Sequence, residues 1–348
     1  MVRTLLGLVF VAGVSAGAAA DTLVVLNKSD ATASLIDLTK GAAVATLPTG
    51  QAPHEVDVSP DGKLALVANY GTREAPGSTL TLLDVSGARV VRTIELGTHK
   101  RPHGVKWIDA RRAAVTSEAS KALLVVDVEA GRVESAISTG QEVSHMVALA
   151  PDRSRAFVAS IGSGTVTAID LKEGKAAGVV ATGAGAEGID VTPDGSQVWV
   201  TNREADTVSV LDARTLGRVA TLPGGGFPIR ARVTPDGRWV LVSNARGGDL
   251  AVFDARQLTE ARRIALKATL RATEGRLMTF GNSSVPIGVV VHPGGKRAWV
   301  AHANADVITI LDLEQWTAAG TLTAGREPDG MAYSPLAVTS APSAAPAR

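Results

Sequence analysis

Hydrophobic positions along this chain fall in short runs of Val, Ile, Leu and Ala, bounded by Asp-Gly, Asn and Pro-Asp-Gly breaks. No stretch keeps a helical period, so the pattern predicts short strands joined by turns. Within Glu187 to Gly225 the order is GIDVT, a PDG turn, QVWVTN, a READ loop, TVSVLD, a turn, RVATL and a Gly-rich link. That is four strands. Only part of Leu258 to Met278 is rich enough in helix formers to offer a short helix in place of strand plus loop.

The four-strand unit repeats. VDVSPDGKLALVAN (Val56 to Asn69), IDVTPDGSQVWVTN (Ile189 to Asn202), ARVTPDGRWVLVSN (Ala231 to Asn244) and VVVHPGGKRAWVAH (Val289 to His302) align directly. The turn proline marks seven copies, at Pro60, Asp109 (substituted), Pro151, Pro193, Pro235, Pro293 and Pro335, at steps of 49, 42, 42, 42, 58 and 42. An aspartate closing a hydrophobic run gives a second, independent series at Asp37, Asp84, Asp127, Asp170, Asp212, Asp254 and Asp312. A four-stranded unit of about 40 to 45 residues repeated seven times predicts an all-β, seven-bladed β-propeller. The N-terminal TLVVLN and SLIDL lack a first strand and the C-terminal DGMAYSP lacks the rest, so the ends complete one blade in a 1+3 closure.

VWVTNREADTVSVLD (Val198 to Asp212) resembles the YVTN-type repeat of YncE-like seven-bladed propellers, with looser copies in VAHANADVITILD and LVSNARGGDLAVFD. The likeness runs through nearly all of Asp21 to Pro335. PHEVDVSPDGKLALVANYG (Pro53 to Gly71) is also similar to lactonase-like propellers. Together these resemblances imply the cytochrome d1-type and lactonase-type propeller superfamily, which holds both binding scaffolds and enzymes.

Charge and composition narrow the function. Lys and Arg number 35 against 34 Asp and Glu, a net charge of +1, which argues against nucleic acid or anionic lipid as the partner. The absence of cysteine excludes thiolate chemistry and, with no C-x-x-C-H, covalent haem. MVRT followed by LLGLVFVAGV and SAGAAA reads as a secretory signal over residues 1–20, cleaved before Asp21 with Ala18 and Ala20 at the cleavage site. The expected organisation is a propeller over 21–336 and a disordered Ala/Pro-rich tail over 337–348, in a periplasmic or secreted monomer with no stable membrane insertion.

Candidate chemistry sits six residues before each marker, at the entry to each inner strand. The column reads His54, His103, His145, Glu187, Ile229, Ile287 and Asp329. Composition alone would place about 0.1 histidine there, and it holds three on consecutive blades. His54, His103, His145 and Glu187 suit a Zn, Cu, Mn or Fe(II) centre. Copying of one ancestral Pro-His accounts equally for the first two imidazoles.

Glu118 and His302 stand where Asn27, Asn69, Asn202 and Asn244 end second strands, and could reach inward. Ser160 is the third departure, while His99, Arg101 and Arg326 lie in links on the same face. Seven extra residues within Tyr70 to Leu80, and sixteen between Asp254 and Ile287, could cover the channel mouth. GAGAEG (Gly183 to Gly188) is no nucleotide fingerprint, because a strand rather than a helix follows it. Asp61, Asp194, Asp236 and the strand-closing aspartates read as turn caps. The sequence therefore points to an exported propeller binding a small ligand or periplasmic protein through its top face. The alternative is a metal-dependent enzyme of lactonase, lyase or oxidase type, in which Glu187, Asp329 and Glu118 supply acid/base groups.

Overall fold

Strands joined by short turns pair with their sequence neighbours, and each predicted unit folds as an antiparallel meander. A computed structural model describes residues 21–271 and 278–339. Blade one comprises Pro53–Val58, Leu64–Gly71, Pro76–Asp84 and Arg89–Glu95. The inner strands of blades two to six are Pro102–Trp107, Ser144–Leu149, Ala186–Val191, Pro228–Val233 and Pro286–Val291. Blade seven joins Pro328–Ser334 to Thr22–Asn27, Thr32–Asp37 and Ala42–Pro48, in that order, which is the predicted closure. Seven four-stranded sheets result.

The core lies between the blades. Middle strands such as Ala122–Asp127 are buried along their whole length, whereas outer strands such as Arg132–Ser138 bury little but Ile137. Leu66, Leu80 and Leu82 of blade one thus pack on Val105, Trp107 and Val115 of blade two, and Trp199 meets Phe253 between blades four and five at 6.0 Å. Among the described residues the only helical segment is the 3-10 turn Lys28–Asp30. The helix offered for Leu258 to Met278 gives way, where described, to strand Thr259–Ala265 followed by irregular chain. Residues 272–277 of that insertion, the signal over 1–20 and the tail from 340 lie outside the described residues. Before it, Val338 packs on the blade seven–blade one core and the Thr339 N–H donates to Ser86 O at 2.9 Å. The blade-one insertion lengthens the hairpin of its second and third strands, pairing Gly71 with Pro76.

Turn aspartates cap as expected, Asp212 Oδ1 accepting the N–H of Arg214 at 3.1 Å and of Thr215 at 2.7 Å. The second-strand asparagines do more than turn the chain. The Asn69 amide donates to Thr79 and Thr81 at 2.9 and 3.0 Å, and its Oδ1 accepts the Gly50 N–H of the preceding link at 3.0 Å. Asn27 repeats this with Thr32, Ser34 and Gly325, so each latch ties one blade to the link entering it.

His302 takes the same place in blade six and does not reach inward. Its Nε2 pairs with Thr309 Oγ1 and its Nδ1 with Ser284 Oγ, both at 2.8 Å. Burial drives its pKa from 6.5 to about 4. A folded-state pKa below the unfolded value gives stability that is present above pH 6.5 and lost as pH falls through about 4. His302→Asn restores the latch without the titrating ring. Chemical denaturation at pH 7 and pH 4 should show the acid loss of stability reduced by about 3 kcal/mol in the variant.

Candidate functional site

Every blade turns into its inner strand through a residue held at positive φ, among them Ala52 at 47°, Arg101 at 55° and Glu327 at 57°. The carbonyl of that residue accepts the N–H of the residue following the second strand's latch position. The pairs include Tyr70 with Ala52 at 3.2 Å, Glu118 with Arg101 at 3.1 Å, Arg203 with Gly185 at 3.0 Å and Lys28 with Glu327 at 3.1 Å. This repeated bond stations a second ring of side chains, Lys28, Tyr70, Glu118, Ile161, Arg203, Ala245 and Ala303, above the first column. Glu118 therefore does not occupy the asparagine position. The blade-two turn is one residue shorter, so Ser117, paired with Ala122, stands where Asn202 pairs with Thr207.

A register shift also opens every inner ladder at its entry, as between Pro53 and Val56 or Pro228 and Arg230. The shift interrupts strict alternation, so successive residues can both face the axis. His54 and Glu55 do so, as do Ile229 and Arg230. Inner strands converge closely here. A Cβ on Gly330 would lie 2.3 Å from His54 O, which is why glycine is required there.

The first column closes on a cavity of about 200 Å³ at the top of the channel, lined by Lys28, Tyr70, Arg203, Arg230 and Met278 as well as the column residues. His54, His103, His145, Glu187 and Asp329 are all buried. The rings of His103 and His145 are 3.6 Å apart and those of His54 and His103 5.1 Å, with Tyr70 4.4 Å from His54. Ligand atoms of His103, Glu118 and His145 lie within 4.8 Å of one another, a grouping able to hold a metal that brings together two of the four predicted ligands and takes in neither His54 nor Glu187. Glu187 is engaged elsewhere. It pairs with Arg203 Nη1 at 2.8 Å and Arg230 Nη1 at 3.2 Å.

Arg230 binds three acids from three blades. Besides Glu187 it reaches Glu55 at 2.5 Å and Asp329 at 3.6 Å. Lys28 neutralises Asp329 at 3.3 Å and Glu327 at 3.1 Å. Burial alone would raise the carboxyl of Glu187, but His145 and the two guanidiniums outweigh it and draw its pKa down to about 2. Asp329 is likewise lowered, since Lys28, His54 and Arg230 together outweigh its burial.

The three imidazoles are not equivalent. Burial, with Lys28 nearby, takes His54 to about 4, and its Nδ1 bonds Ala52 O at 2.7 Å, which leaves Nε2 as the lone-pair atom. His103 is driven well below 6.5 by burial and by its neighbouring imidazoles. Burial lowers His145 too, but Glu118 on Nδ1 at 2.5 Å and Glu187 3.4 Å from Nε2 outweigh it, and its pKa rises. Tyr70 donates to Glu118 at 2.6 Å and is pushed up to about 12 by burial and that carboxylate. His103 Nδ1 is buried with no hydrogen-bond partner, and His145 Nε2 has no partner beyond its 3.4 Å ion pair with Glu187.

Elsewhere on this face, His99 bonds Ser120 at 2.9 Å, Arg101 lies over the Tyr70 ring at 5.0 Å, and Arg326 pairs with Asp30 at 2.6 Å. None adds a ligand to the imidazole cluster. Lys28, Tyr70, Arg203, Glu55 and Arg230 were not singled out from the sequence. The first three directly follow second-strand ends, and that column was the signal available.

A closed seven-bladed propeller with a small, polar, charge-balanced cavity at its axis defines the class of protein. The chain belongs to the YNCE-like beta-propeller family, whose model matches residues 11–111 and 95–272. No curated protein matches the sequence. Among solved structures, a functionally unknown protein from Desulfotomaculum acetoxidans DSM 771 superposes with a TM-score of 0.75 at 13% identity, over 90% of this chain and 99% of that one. Kuenenia stuttgartiensis hydrazine synthase does so with a TM-score of 0.68 at 18% identity, over 88% and 99%. At these identities the likeness is one of fold. Among the described residues no helix is long and apolar enough to cross a membrane.

Removing the central guanidinium should be costly, because three buried acids lose their shared partner. Arg230→Met is expected to lower unfolding free energy by about 3–5 kcal/mol in a denaturant titration. A loss below about 1 kcal/mol would show that the acids do not depend on it.

Proposed function

We propose that this chain is an exported binding protein that takes one divalent transition ion at the top of its channel, on His54, His103 and His145. The observation carrying the proposal is the buried His103 Nδ1, which has no hydrogen-bond partner, in one cavity with the lone pair of His54 Nε2 and with His145 Nε2, which meets only Glu187 at 3.4 Å. An unpartnered buried polar atom costs about 1–3 kcal/mol. A cation accepting several lone pairs would remove that cost at His103. Only neutral imidazole donates, so loading would release the His145 proton. Imidazole ligands without thiolate favour Zn or Cu over Mn or Fe(II). Glu118 is better placed than Glu187 as the carboxylate beside them, since Glu187 is held by two guanidiniums.

The geometry gives the enzyme alternative less support. Glu187 and Asp329 are ion-paired, and that pairing lowers both carboxyls, which makes them weak general bases. Export is part of the same proposal and rests on residues 1–20, with their basic start, apolar run and small residues before Asp21. Mass spectrometry of the protein recovered outside the cytoplasm should give an N-terminus at Asp21. An uncleaved N-terminus on exported protein would remove that part of the proposal.

Metal content tests the site. Untagged mature protein should hold about one equivalent of Zn or Cu, and a His54/His103/His145→Ala triple variant of unchanged thermal midpoint should hold none. His302→Asn should keep the ion, because His302 lies between blades. Wild-type protein that contains no metal and takes up none of Zn, Cu, Mn or Fe(II) would overturn the proposal.

A further inference from the structure

Away from the channel, a cavity of about 580 Å³ opens between blades five and six on the top face, lined by Arg246, Gly248, Lys267, Thr269, Phe280 and Asn282 among others. Among the described residues no acidic side chain lines it. Its shape follows from a position that varies among the blades, a glycine in blades three (Gly164) and five. The residue just before the third strand is Asp206 in blade four and Asp306 in blade six, but Gly248 in blade five. Asp206 Oδ1 accepts the N–H of Gly226 at 2.8 Å and of Phe227 at 3.0 Å, while Asp306 Oδ1 accepts that of Glu327 at 2.9 Å. Those carboxylates sit in the groove between each blade and the next.

In blade five the corresponding backbone donor, the Val285 N–H, is taken by Ser283 Oγ at 3.0 Å. The carboxylate's space is left open. A Cβ on Gly248 would meet nothing nearer than Ser283 Oγ at 3.4 Å. Two cations have gathered at the same place. Arg246 stacks over Phe227 at 5.1 Å and Phe280 at 5.2 Å, an arrangement that fixes the guanidinium plane while leaving its N–H edge free. Neither Arg246 nor Lys267 pairs with a carboxylate among the described residues. Arg246 and Lys267 both reach solvent, and beside Phe280, Leu266 and Ala268 they suit an anion with an apolar body, in a volume that fits a small organic molecule rather than an inorganic ion.

We propose that this cavity is a second binding site, which takes a small organic carboxylate in the position that an aspartate side chain fills in the neighbouring blades. Arg246 and Lys267 hold the carboxylate, and Phe280 packs against the ligand's apolar part.

Benzoate and its neutral isostere benzamide are suitable probes, titrated calorimetrically into the mature protein at low salt. Benzoate should bind saturably at millimolar concentration or below, with benzamide at least about tenfold weaker. Arg246→Gln should weaken benzoate by at least about tenfold, and Lys267→Gln provides the same readout should that variant not fold. Gly248→Asp is the decisive variant. Its φ of 68° is close to the 53° and 57° that Asp206 and Asp306 adopt, so the fold accommodates an aspartate there at a small cost in stability, and the new carboxylate should abolish benzoate binding. His103→Ala should leave benzoate affinity unchanged, which separates this site from the channel. Absence of saturable benzoate binding, equal affinity for benzamide, or undiminished binding by Gly248→Asp would each overturn the proposal.

Discussion

A charge buried at the axis of a propeller has little solvent to pair with, so the first requirement on the channel is that its ionic groups neutralise one another where they stand. Arg230 is the centre of that arrangement. From blade five it reaches acids of blades one, four and seven, and no neighbour-to-neighbour contact could replace a group that spans the channel. Lys28 completes the balance from the N-terminal strand, which is itself half of the closure. The ring of blades and the polarity of its centre are therefore one problem with one solution.

Neutralisation also explains why the imidazoles are left as they are. With Glu187 and Asp329 engaged by guanidinium and ammonium groups, burial dominates at His54 and His103, and both stay neutral. Only His145, set between Glu118 and Glu187, is stabilised in its charged form. The same fold thus raises the pKa of one ring and lowers that of two others in the same cluster, and the difference arises mainly from Glu118, the carboxylate that no guanidinium or ammonium claims.

The repeat supplies seven copies of each backbone position, and function resides in departures from it. His302 performs an asparagine's task in blade six. Gly248 leaves open in blade five the space that an aspartate fills in blades four and six. Such departures are visible in an alignment of the blades, but their sense is not, since His302 and His103 look alike as letters while one ties blades together and the other faces the channel. Glu118 shows the limit of counting. A turn shortened by one residue moved it from the latch column to the ring above the site.

Blade number, closure and the inward column of His54, His103, His145, Glu187 and Asp329 were legible because they rest on period and turn chemistry, which are local properties of the chain. Glu55 and Arg230 were not. In a regular strand they would face away from the column, and the register shift at the strand entry turns them inward through pairing that no single segment encodes. Lys28, Tyr70 and Arg203 were hidden for a related reason, since their direction depends on a bond from each second strand back to the link of the same blade. Periodicity along the chain determined the propeller and the side chains of its inner column. Only the closed ring decided which charges meet across the channel, because those contacts join residues as far apart as Glu55 and Arg230.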